Sequence, residues 1–258
     1  MTANLRERLK APEPLFGTFI KTPTHHGIEI AALAGLDFVA LDGEHAPFSA
    51  NALDLSLLAC AAGNIPGIVR ISDASPTSVL QALDLGAAGL LVPHVSSREQ
   101  AETVVAATRY RRGTRGFSNS PRAGRYGRTA MAEHRASSDE SVAVIAQIED
   151  PQAVERIDEI VDTPGVDAVL IGRADLAIAY GVDFIDKPVI ENAVRKVVLA
   201  AARSGIPSGV FVGTAAELPR FIDMEVRFFI VGSDQSALLR GWTSIVEGAH
   251  LGRTGRSR

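Results

Sequence analysis

The sequence is poor in several residue types, and each scarcity excludes a class of protein. Its single cysteine, Cys60, cannot form a disulfide within one chain, and its apolar helical surroundings predict a buried structural thiol. The net charge is −4 and the basic residues are scattered, so neither nucleic acid nor an anionic membrane is an expected partner. No apolar run reaches the roughly 18 residues of a membrane span, and the amino terminus is charged where a signal peptide is apolar. We therefore expect a cytoplasmic protein.

What the chain does contain is eight short apolar runs that alternate with segments of helical spacing. The runs predict strands at residues 15–20, 37–43, 67–72, 88–95, 142–149, 167–172, 208–213 and 227–234. The segments predict helices at residues 24–35, 49–62, 75–85, 97–109, 152–162, 187–204, 214–224 and 235–250. Eight such units with no change of composition predict an α/β protein with one (β/α)8 barrel domain over residues 1–250. A doubly wound open sheet is the alternative, because alternation alone does not show closure.

Two segments fall outside this regular alternation. Residues 110–141 are rich in Gly, Ser and Arg and include TAMAEHRAS, which predicts a short helix. This segment fits either a solvated loop or an anion-binding rim or subunit contact. The carboxyl-terminal residues 251–258 predict a disordered tail.

Polar side chains recur where the predicted strands end. In a (β/α)8 barrel the carboxyl ends of all strands meet at one face, which carries the active site. The polar residues at these ends are Asp42, Glu44, His45, Arg70, His94, Gln147, Glu149, Asp175, Ser233 and Asp234. Taken singly, Glu149 and Asp175 also fit helix caps, Arg70 a rim ion pair and His94 a structural histidine. Their coincidence at one face favours a catalytic site.

These residue types together point to chemistry on a carbon acid. Glu149 and Asp175 suit a hard divalent cation such as Mg²⁺ or Mn²⁺, because such cations prefer oxygen ligands. A metal of this kind chelates a 2-oxo acid and stabilises its enolate as a Lewis acid. Arg70 is suited to neutralise carboxylate or enolate charge, and histidine is a proton carrier near neutral pH, so His45, oriented by Asp42, is the candidate acid/base.

A family resemblance covers residues 15–250, about the whole predicted barrel. The ordered segments FVALDGEHAPF, IVRI, GAAGLLVPHV, TRYRRGTRGF, AQIED and VLIGRADLA resemble those of the HpcH/HpaI family of class II pyruvate aldolases. The resemblance implies a (β/α)8 barrel and a homo-oligomer, commonly a hexamer, in which the last helix is exchanged between subunits.

The resemblance also implies roles for individual residues. It makes Glu149 and Asp175 the carboxylates that bind Mg²⁺, Mn²⁺ or Co²⁺, with Gln147 beside them. The 2-oxo acid would be bound by one guanidinium and two backbone amides, at Arg70, Gly172 and Ala174. An acid/base dyad acting through a metal-bound water would consist of His45 and Asp42, approached by Asp84 of an adjoining subunit. The segment SNSPRAGRYG makes Arg122 a candidate for binding the acceptor, and Arg173 occupies a position beside the 2-oxo acid.

The predicted activity is reversible aldol cleavage of a 4-hydroxy-2-oxo acid to pyruvate, or hydroxypyruvate, and an aldehyde. Hydroxypyruvate as a donor would need space for its hydroxyl group beside the enolate carbon. We expect Phe211 or Val212 to border that space. A Schiff-base aldolase is a rival, but of the four lysines in the sequence only Lys21 follows a strand end. Further alternatives are a lyase that acts on acyl-CoA substrates and a barrel that binds a metal or anion without catalysis.

Overall fold

The computed structural model describes residues 4–254, and eight parallel strands in it close into a barrel. The strands follow sequence order around the ring, and β1 pairs with β8. They are β1 (Leu15–Ile20), β2 (Phe38–Asp42), β3 (Gly67–Arg70), β4 (Gly89–Val92), β5 (Ala143–Ile148), β6 (Ala168–Ile171), β7 (Ser208–Val212) and β8 (Phe228–Ser233). This confirms the predicted single (β/α)8 barrel and all eight strands, and it excludes the open sheet.

Helices surround the barrel and connect its strands. They are α1 (Leu5–Lys10), α2 (His25–Leu33), α3 (Ala50–Ala62), α4 (Pro76–Asp84), α5 (Arg98–Thr108), α6 (Met131–Ser141), α7 (Pro151–Glu155), α8 (Ile157–Val161), α9 (Arg173–Ala179), α10 (Pro188–Arg203), α11 (Leu218–Ile222) and α12 (Asp234–Thr254). Over residues 4–254, none of these helices is both long and apolar enough to cross a bilayer.

Most predicted helices are confirmed, and the differences are local. The predicted helix 152–162 consists of α7 and α8, which are separated at Arg156. The predicted helix 214–224 is a short 3-10 turn, Ala215–Glu217, followed by α11. Two helices were not predicted, α1 and α9. Helix α12 runs past residue 250 to Thr254, so only 255–258 of the predicted tail remain, and they lie outside the described residues.

Side chains alternate strictly between two cores, as period-2 strands require. Phe38 and Ala40 of β2 face the barrel interior, where they pack with Ile68, Leu91, Ile145 and other inward residues. Val39 and Leu41 of the same strand face the helix layer and belong to the outer core. The alternation therefore decides which residues near a strand end can reach the mouth of the barrel.

The amino-terminal helix α1 closes the end of the barrel opposite the site. Leu5 and Leu9 are buried in the inner core, beside Leu15 at the start of β1. Asn4 caps the helix, and its side chain accepts a hydrogen bond from the Arg6 amide at 3.1 Å. One end of the barrel is thereby sealed by apolar side chains.

The single cysteine has the structural role predicted for it. Cys60 lies on the inner face of α3 and is buried against the start of β3. A Cβ built on Gly67 would lie 2.7 Å from the Cys60 sulfur, so glycine is needed where α3 and β3 meet. Burial raises the pKa of the Cys60 thiol to about 12, which keeps it protonated and unreactive.

Candidate active site

A cavity of about 350 Å³ opens at the carboxyl ends of the strands. Its walls come from seven of the eight strands or the loops after them, and they combine charged, aromatic and backbone groups. The lining residues are Phe19, Lys21, His45, Arg70, Gln147, Leu170, Gly172, Arg173, Ala174, Asp175, Phe211, Gly213, Gly232, Ser233 and Ser236. The face is the one on which barrel active sites lie, as expected.

One wall of the cavity is built around a buried carboxylate, Asp42. Arg70 donates from Nε and Nη2 to the two oxygens of Asp42, at 2.9 and 2.7 Å. The Lys21 ammonium lies 3.2 Å from Oδ2, and the His45 amide donates to Oδ1 at 3.0 Å. Asp42 and Arg70 lie two residues after the inward-facing Ala40 and Ile68, so they also face inward. The register of β2 and β3 pairs them directly. The two side chains are thus placed by strand alternation.

The electrostatic surroundings keep Asp42 ionised. Burial alone would raise the pKa of this carboxyl, but the hydrogen bonds from Arg70 and from the His45 amide and the charge of Arg70 outweigh burial and lower it. Asp42 is fully buried. Its negative charge is therefore a permanent part of the site.

The structure corrects the predicted orientation of His45 by Asp42. The Asp42 carboxylate bonds the backbone amide of His45, while the imidazole Nε2 lies 3.6 Å from Glu44 Oε2. The His45 side chain is 58% exposed and lines the cavity. A tight turn allows this, because a Cβ on Gly43 would lie 2.7 Å from the Arg70 carbonyl oxygen. Asp42 thus positions the turn that carries His45 rather than its ring.

Arg70 is held in the cavity wall by contacts beyond those to Asp42. Its Nη1 lies 3.2 Å from Glu44 Oε2, yet that oxygen is buried without a hydrogen-bond partner. The guanidinium also stacks on the Phe19 ring, with Cζ 4.5 Å from the ring centroid. Arg70 is therefore a fixed positive group in the cavity wall, with Nη1 beside the Glu44 carboxylate.

The two carboxylates predicted to bind a metal lie at the opposite side of the cavity, Asp175 in its wall and Glu149 against Gly172 of that wall. A Cβ built on Gly172 would lie 3.1 Å from Glu149 Oε2 and 3.5 Å from Asp175 Oδ2, so both carboxylates border this glycine. Glu149 is buried at the end of β5, and Asp175 is exposed in the first turn of α9. The Gln147 amide donates from Nε2 to Glu149 Oε2. The structure brings these three predicted residues together.

Glu149 is held in place from a neighbouring strand. The backbone amide of His94 donates to Glu149 Oε1 at 2.8 Å, and His94 adopts a left-handed backbone conformation with φ of 56°. The His94 imidazole Nδ1 lies 3.1 Å from Asp150 Oδ2. Burial raises the pKa of the Glu149 carboxyl, and the nearby Asp175 charge adds to this, against the hydrogen bonds from Gln147 and His94.

The residues present fit a hard divalent cation. Gln147 Oε1 is buried without a hydrogen-bond partner, and Glu149 and Asp175 supply two carboxylates from the segments that follow the adjoining strands β5 and β6. Within residues 4–254 no group of three or more His, Cys, Asp or Glu residues is arranged as a complete metal site. Two carboxylates and an orphaned amide oxygen leave positions for water and substrate, as is usual for Mg²⁺.

The two residues predicted to border the donor, Phe211 and Val212, are neighbours on β7 and face opposite sides of the strand. Phe211 lines the cavity and its ring lies 5.8 Å from that of Phe19. Val212 is fully buried in the outer core, facing the helices. Val212 was therefore wrong as a cavity residue, because adjacent residues of a strand face opposite sides.

Asp84 and Arg122 lie at the opposite end of the barrel from the cavity of their own chain. Asp84 ends α4, which runs back from the carboxyl end of β3, and it pairs with Arg115 at 2.9 Å. Arg122 donates to the Leu85 carbonyl and pairs with Asp54. Within one chain neither residue contributes to the site. The predicted approach of Asp84 from an adjoining subunit stays a prediction.

Several cavity residues were not predicted from the sequence. Lys21 was considered only as a Schiff-base candidate, and Phe19, Gly213, Gly232 and Ser236 were not assigned. The sequence does contain a signal for Phe19 and Lys21. They lie four and six residues after Leu15 of β1, so the alternation along the strand predicts that they face the barrel interior, as Leu15 does. No such signal was available for Ser236, which reaches the cavity from α12 and bonds the Ser233 carbonyl at 2.9 Å.

Comparison with known proteins places this arrangement in a family. A profile described as HpcH/HpaI aldolase/citrate lyase matches residues 15–240. A 5-keto-4-deoxy-D-glucarate aldolase of Escherichia coli is 35% identical over 208 residues, which are 80% of each chain. A crystal structure of an HpcH/HpaI aldolase/citrate lyase family protein from Burkholderia cenocepacia has a TM-score of 0.91 at 31% identity, covering 96% of this chain and 100% of that one.

A second solved structure agrees with this assignment. The HpcH/HpaI aldolase from Desulfitobacterium hafniense has a TM-score of 0.89 at 28% identity, covering 95% of this chain and 96% of that one. The similarity therefore extends over the complete barrel, including the strand ends that carry the cavity. The chain belongs to the HpcH/HpaI aldolase/citrate lyase family.

Proposed function

We propose that the protein is a divalent-metal-dependent class II aldolase that reversibly cleaves 4-hydroxy-2-oxo acids to pyruvate, or hydroxypyruvate, and an aldehyde. The observation that carries this proposal is one cavity with Arg70 and Lys21 on one wall and Gln147 and Asp175 on the other, where Glu149 lies against Gly172. The named aldolases among the relatives support the reaction class.

Glu149 and Asp175 are the residues that would hold the cation, with Gln147 Oε1 beside them. A bound Mg²⁺, Mn²⁺ or Co²⁺ supplies Lewis-acid stabilisation of the negative charge that develops on the keto oxygen. Burial of Glu149 and its hydrogen bond from His94 fix the position of one carboxylate before any cation binds.

The other wall supplies charge and a proton carrier. Arg70 would bind the substrate carboxylate or oppose enolate charge through Nη1, which lies beside Glu44, while Nε and Nη2 keep the guanidinium fixed on Asp42. The His45 imidazole borders the same cavity and is free to exchange protons with water and substrate. The Ala174 amide, in the first turn of α9, would add a donor for the carboxylate, whereas the Gly172 amide already donates to the Ile148 carbonyl at 3.0 Å.

The first experiment follows deuterium exchange at the methyl group of pyruvate in D2O by NMR, which needs no knowledge of the aldehyde. We expect no exchange with metal-free protein and exchange after addition of Mg²⁺, Mn²⁺ or Co²⁺. His45→Ala should reduce the metal-dependent rate by about 10² to 10⁴-fold, as loss of an acid/base group does. His26→Ala is the matched control, because His26 is not among the residues that line the cavity.

Three other outcomes would contradict the proposal. Exchange without metal, together with borohydride trapping of pyruvate on Lys21, would indicate a Schiff-base aldolase. Metal binding with no exchange on pyruvate or hydroxypyruvate would indicate a barrel without this catalytic activity. Turnover only with acyl-CoA substrates would indicate a related lyase.

The relatives also bear on the substrate. The E. coli relative is named for a deoxy keto sugar acid, which supports a hydroxylated 2-oxo acid as the substrate here. Hydroxypyruvate remains a candidate donor because Phe211, predicted to border the enolate carbon, lines the cavity. We place that carbon near Phe211 because Gly172 lies one residue beyond Ile171, which pairs with Val210.

We further propose that the chain forms a homo-oligomer, a hexamer with exchanged carboxyl-terminal helices. The support in this structure is the apolar side chains exposed on α12, at Leu238, Leu239, Trp242, Ile245 and Val246. Their spacing places them along one side of the helix. An apolar surface of this kind is unfavourable in water, so a second subunit is expected to cover it.

Light scattering coupled to size-exclusion chromatography tests the assembly. We expect six times the mass of one chain, and a Trp242→Ser, Ile245→Ser double variant should lower that mass, because both changes place polar groups on an apolar face. An Arg203→Ser control, on the surface of α10, should leave the mass unchanged. A wild-type monomer at micromolar concentration would contradict the proposal.

A further inference from the structure

A buried arginine that the proposed mechanism does not use lies in the cavity wall. Arg173 is only 6% exposed although it begins α9, between Gly172 and Ala174 of the cavity wall. Its Nε is buried without a hydrogen-bond partner, and its Cζ lies 4.8 Å from the centroid of the Phe221 ring. A charge in such a position is costly unless its partners are fixed.

Both partners of Arg173 belong to the chain segment that follows strand β7. Nη2 donates to the Phe211 carbonyl at 3.0 Å and to Glu217 Oε2 at 2.7 Å. Glu217 uses its other oxygen, Oε1, to accept the Gly213 amide at 2.9 Å. Arg173 and Glu217 thus hold both ends of residues 211–213, which line the cavity at Phe211 and Gly213.

The charges of this pair support the same arrangement. Burial would raise the pKa of the Glu217 carboxyl, but the hydrogen bond and charge of Arg173 and the amides of Gly213 and Thr214 lower it. Glu217 therefore remains charged at neutral pH, and the pair is close to neutral as a unit. Its effect on a bound anion is consequently more geometric than electrostatic.

We propose that the Arg173–Glu217 ion pair is a clamp that fixes residues 211–213, so that Arg173 sets the size of the donor side chain that the cavity accepts. This inference rests on the proposed function, because it requires a 2-oxo acid bound in the cavity beside Gly172 and Ala174. Ile171 pairs with Val210, and Gly172 and Phe211 are the residues that follow this pair in the two chain segments. The carbon next to the keto group then meets the clamped wall.

The experiment is a double-mutant cycle on donor selectivity. The ratio of affinities for pyruvate and 2-oxobutanoate, which differ by one methylene, is measured by calorimetry with Mg²⁺ present. Wild type should prefer pyruvate by about tenfold or more, as a rigid pocket does against one extra methylene. Arg173→Met and Glu217→Gln should each reduce the preference to about twofold, and the double variant should reduce it no further. Arg173→Lys should restore part of it.

A matched control comes from an ion pair on the outer side of the same aromatic ring. Arg220 pairs with Glu191 at 2.6 Å and lies 5.3 Å from the Phe221 centroid, but both residues are exposed and neither lines the cavity. Arg220→Met and Glu191→Gln should leave the preference unchanged. Hydrogen exchange should show faster exchange of the Gly213 amide in the Arg173 and Glu217 variants only, since Glu217 is its acceptor.

Each remaining outcome overturns the inference in an identifiable way. An unchanged preference in folded variants removes the clamp while leaving the proposed function intact. Independent, multiplying effects of the two substitutions would show that the residues do not act as a pair. Equal weakening of both acids by Arg173→Met, with tighter binding in Glu217→Gln, would show that Arg173 binds the ligand itself. Failure of wild type to bind either acid would reject the proposed donor class together with the clamp.

Discussion

Replacing Arg70 with methionine is expected to lower kcat/KM by about 10³-fold, as loss of a preorganised charge in an active site does. The same change should destabilise the barrel by about 3 kcal/mol at pH 7, because Asp42 is fully buried and loses two hydrogen bonds. Lys21 and two amides remain, which limits the loss. Steady-state kinetics and denaturant unfolding measure the two effects separately.

The stability difference should depend on pH in a definite direction. Arg70 helps to lower the pKa of Asp42 below its ordinary value of 3.8, and a lowered pKa stabilises the folded state above that value. This contribution is lost as the pH falls through the folded pKa. The difference in unfolding free energy between wild type and Arg70→Met should therefore be largest at neutral pH and should decrease below about pH 4.

Arg109→Met provides the control for burial without catalysis. Arg109 is also buried and its partner Asp167 keeps a second basic partner, Arg6, just as Asp42 keeps Lys21. This pair lies at the amino ends of the strands, away from the cavity. The variant should lose stability and keep its kcat/KM per folded molecule. An Arg70→Met protein with full activity would contradict the role assigned to Arg70.

Replacing Glu149 with glutamine is expected to abolish metal-dependent exchange on pyruvate and to weaken metal binding by at least about 100-fold. In the metal-free protein the same change should be stabilising, because burial raises the pKa of Glu149 and its charged form is costly in the folded state. Wild type should show an increase of Tm with Mg²⁺ or Mn²⁺ that the variant lacks. The two opposite signs distinguish loss of a ligand from general damage.

Asp150→Asn is the matched control for this prediction. Asp150 is the next residue, it carries the same charge, and it bonds the His94 imidazole instead of bordering Gly172. Its replacement should leave the metal affinity within about threefold of wild type, since a partner outside the metal site has a smaller effect than a ligand. Equal loss in both variants would show that the negative charge of the region, and not Glu149 itself, attracts the cation.

The barrel was predictable because its elements obey short-range rules. Each strand is an apolar run bounded by glycine, proline or aspartate, and the helices that follow Thr24 and Ser49 begin at these ordinary capping residues. Helix α9 was not predicted, because Gly172 begins it without a side-chain cap and its sequence follows β6 with almost no break. Closure itself depends on the β1 and β8 pairing, which no local pattern encodes.

The candidate site was predictable as far as strand ends determine it. Asp42, Arg70, Gln147 and Glu149 lie on the inward parity of their strands, and the same parity would have excluded Val212. The partner of the His45 ring was not predictable, since the turn at Gly43 sends the imidazole toward Glu44. Arg122 lies in a long connection, where sequence spacing carries no information about direction.

The junction of the first and last strands has a consequence for the order of folding during synthesis. The amides of Lys21 and Thr22 donate to the two oxygens of Asp234, at 2.9 and 3.0 Å, and Lys21 and Asp234 are 213 positions apart. Lys21 therefore takes its place beside Asp42 only after nearly the whole chain has emerged, and contacts of such high sequence separation form slowly. Until then β1 has one unpaired edge. Interrupted synthesis would therefore leave an aggregation-prone intermediate that lacks a complete cavity.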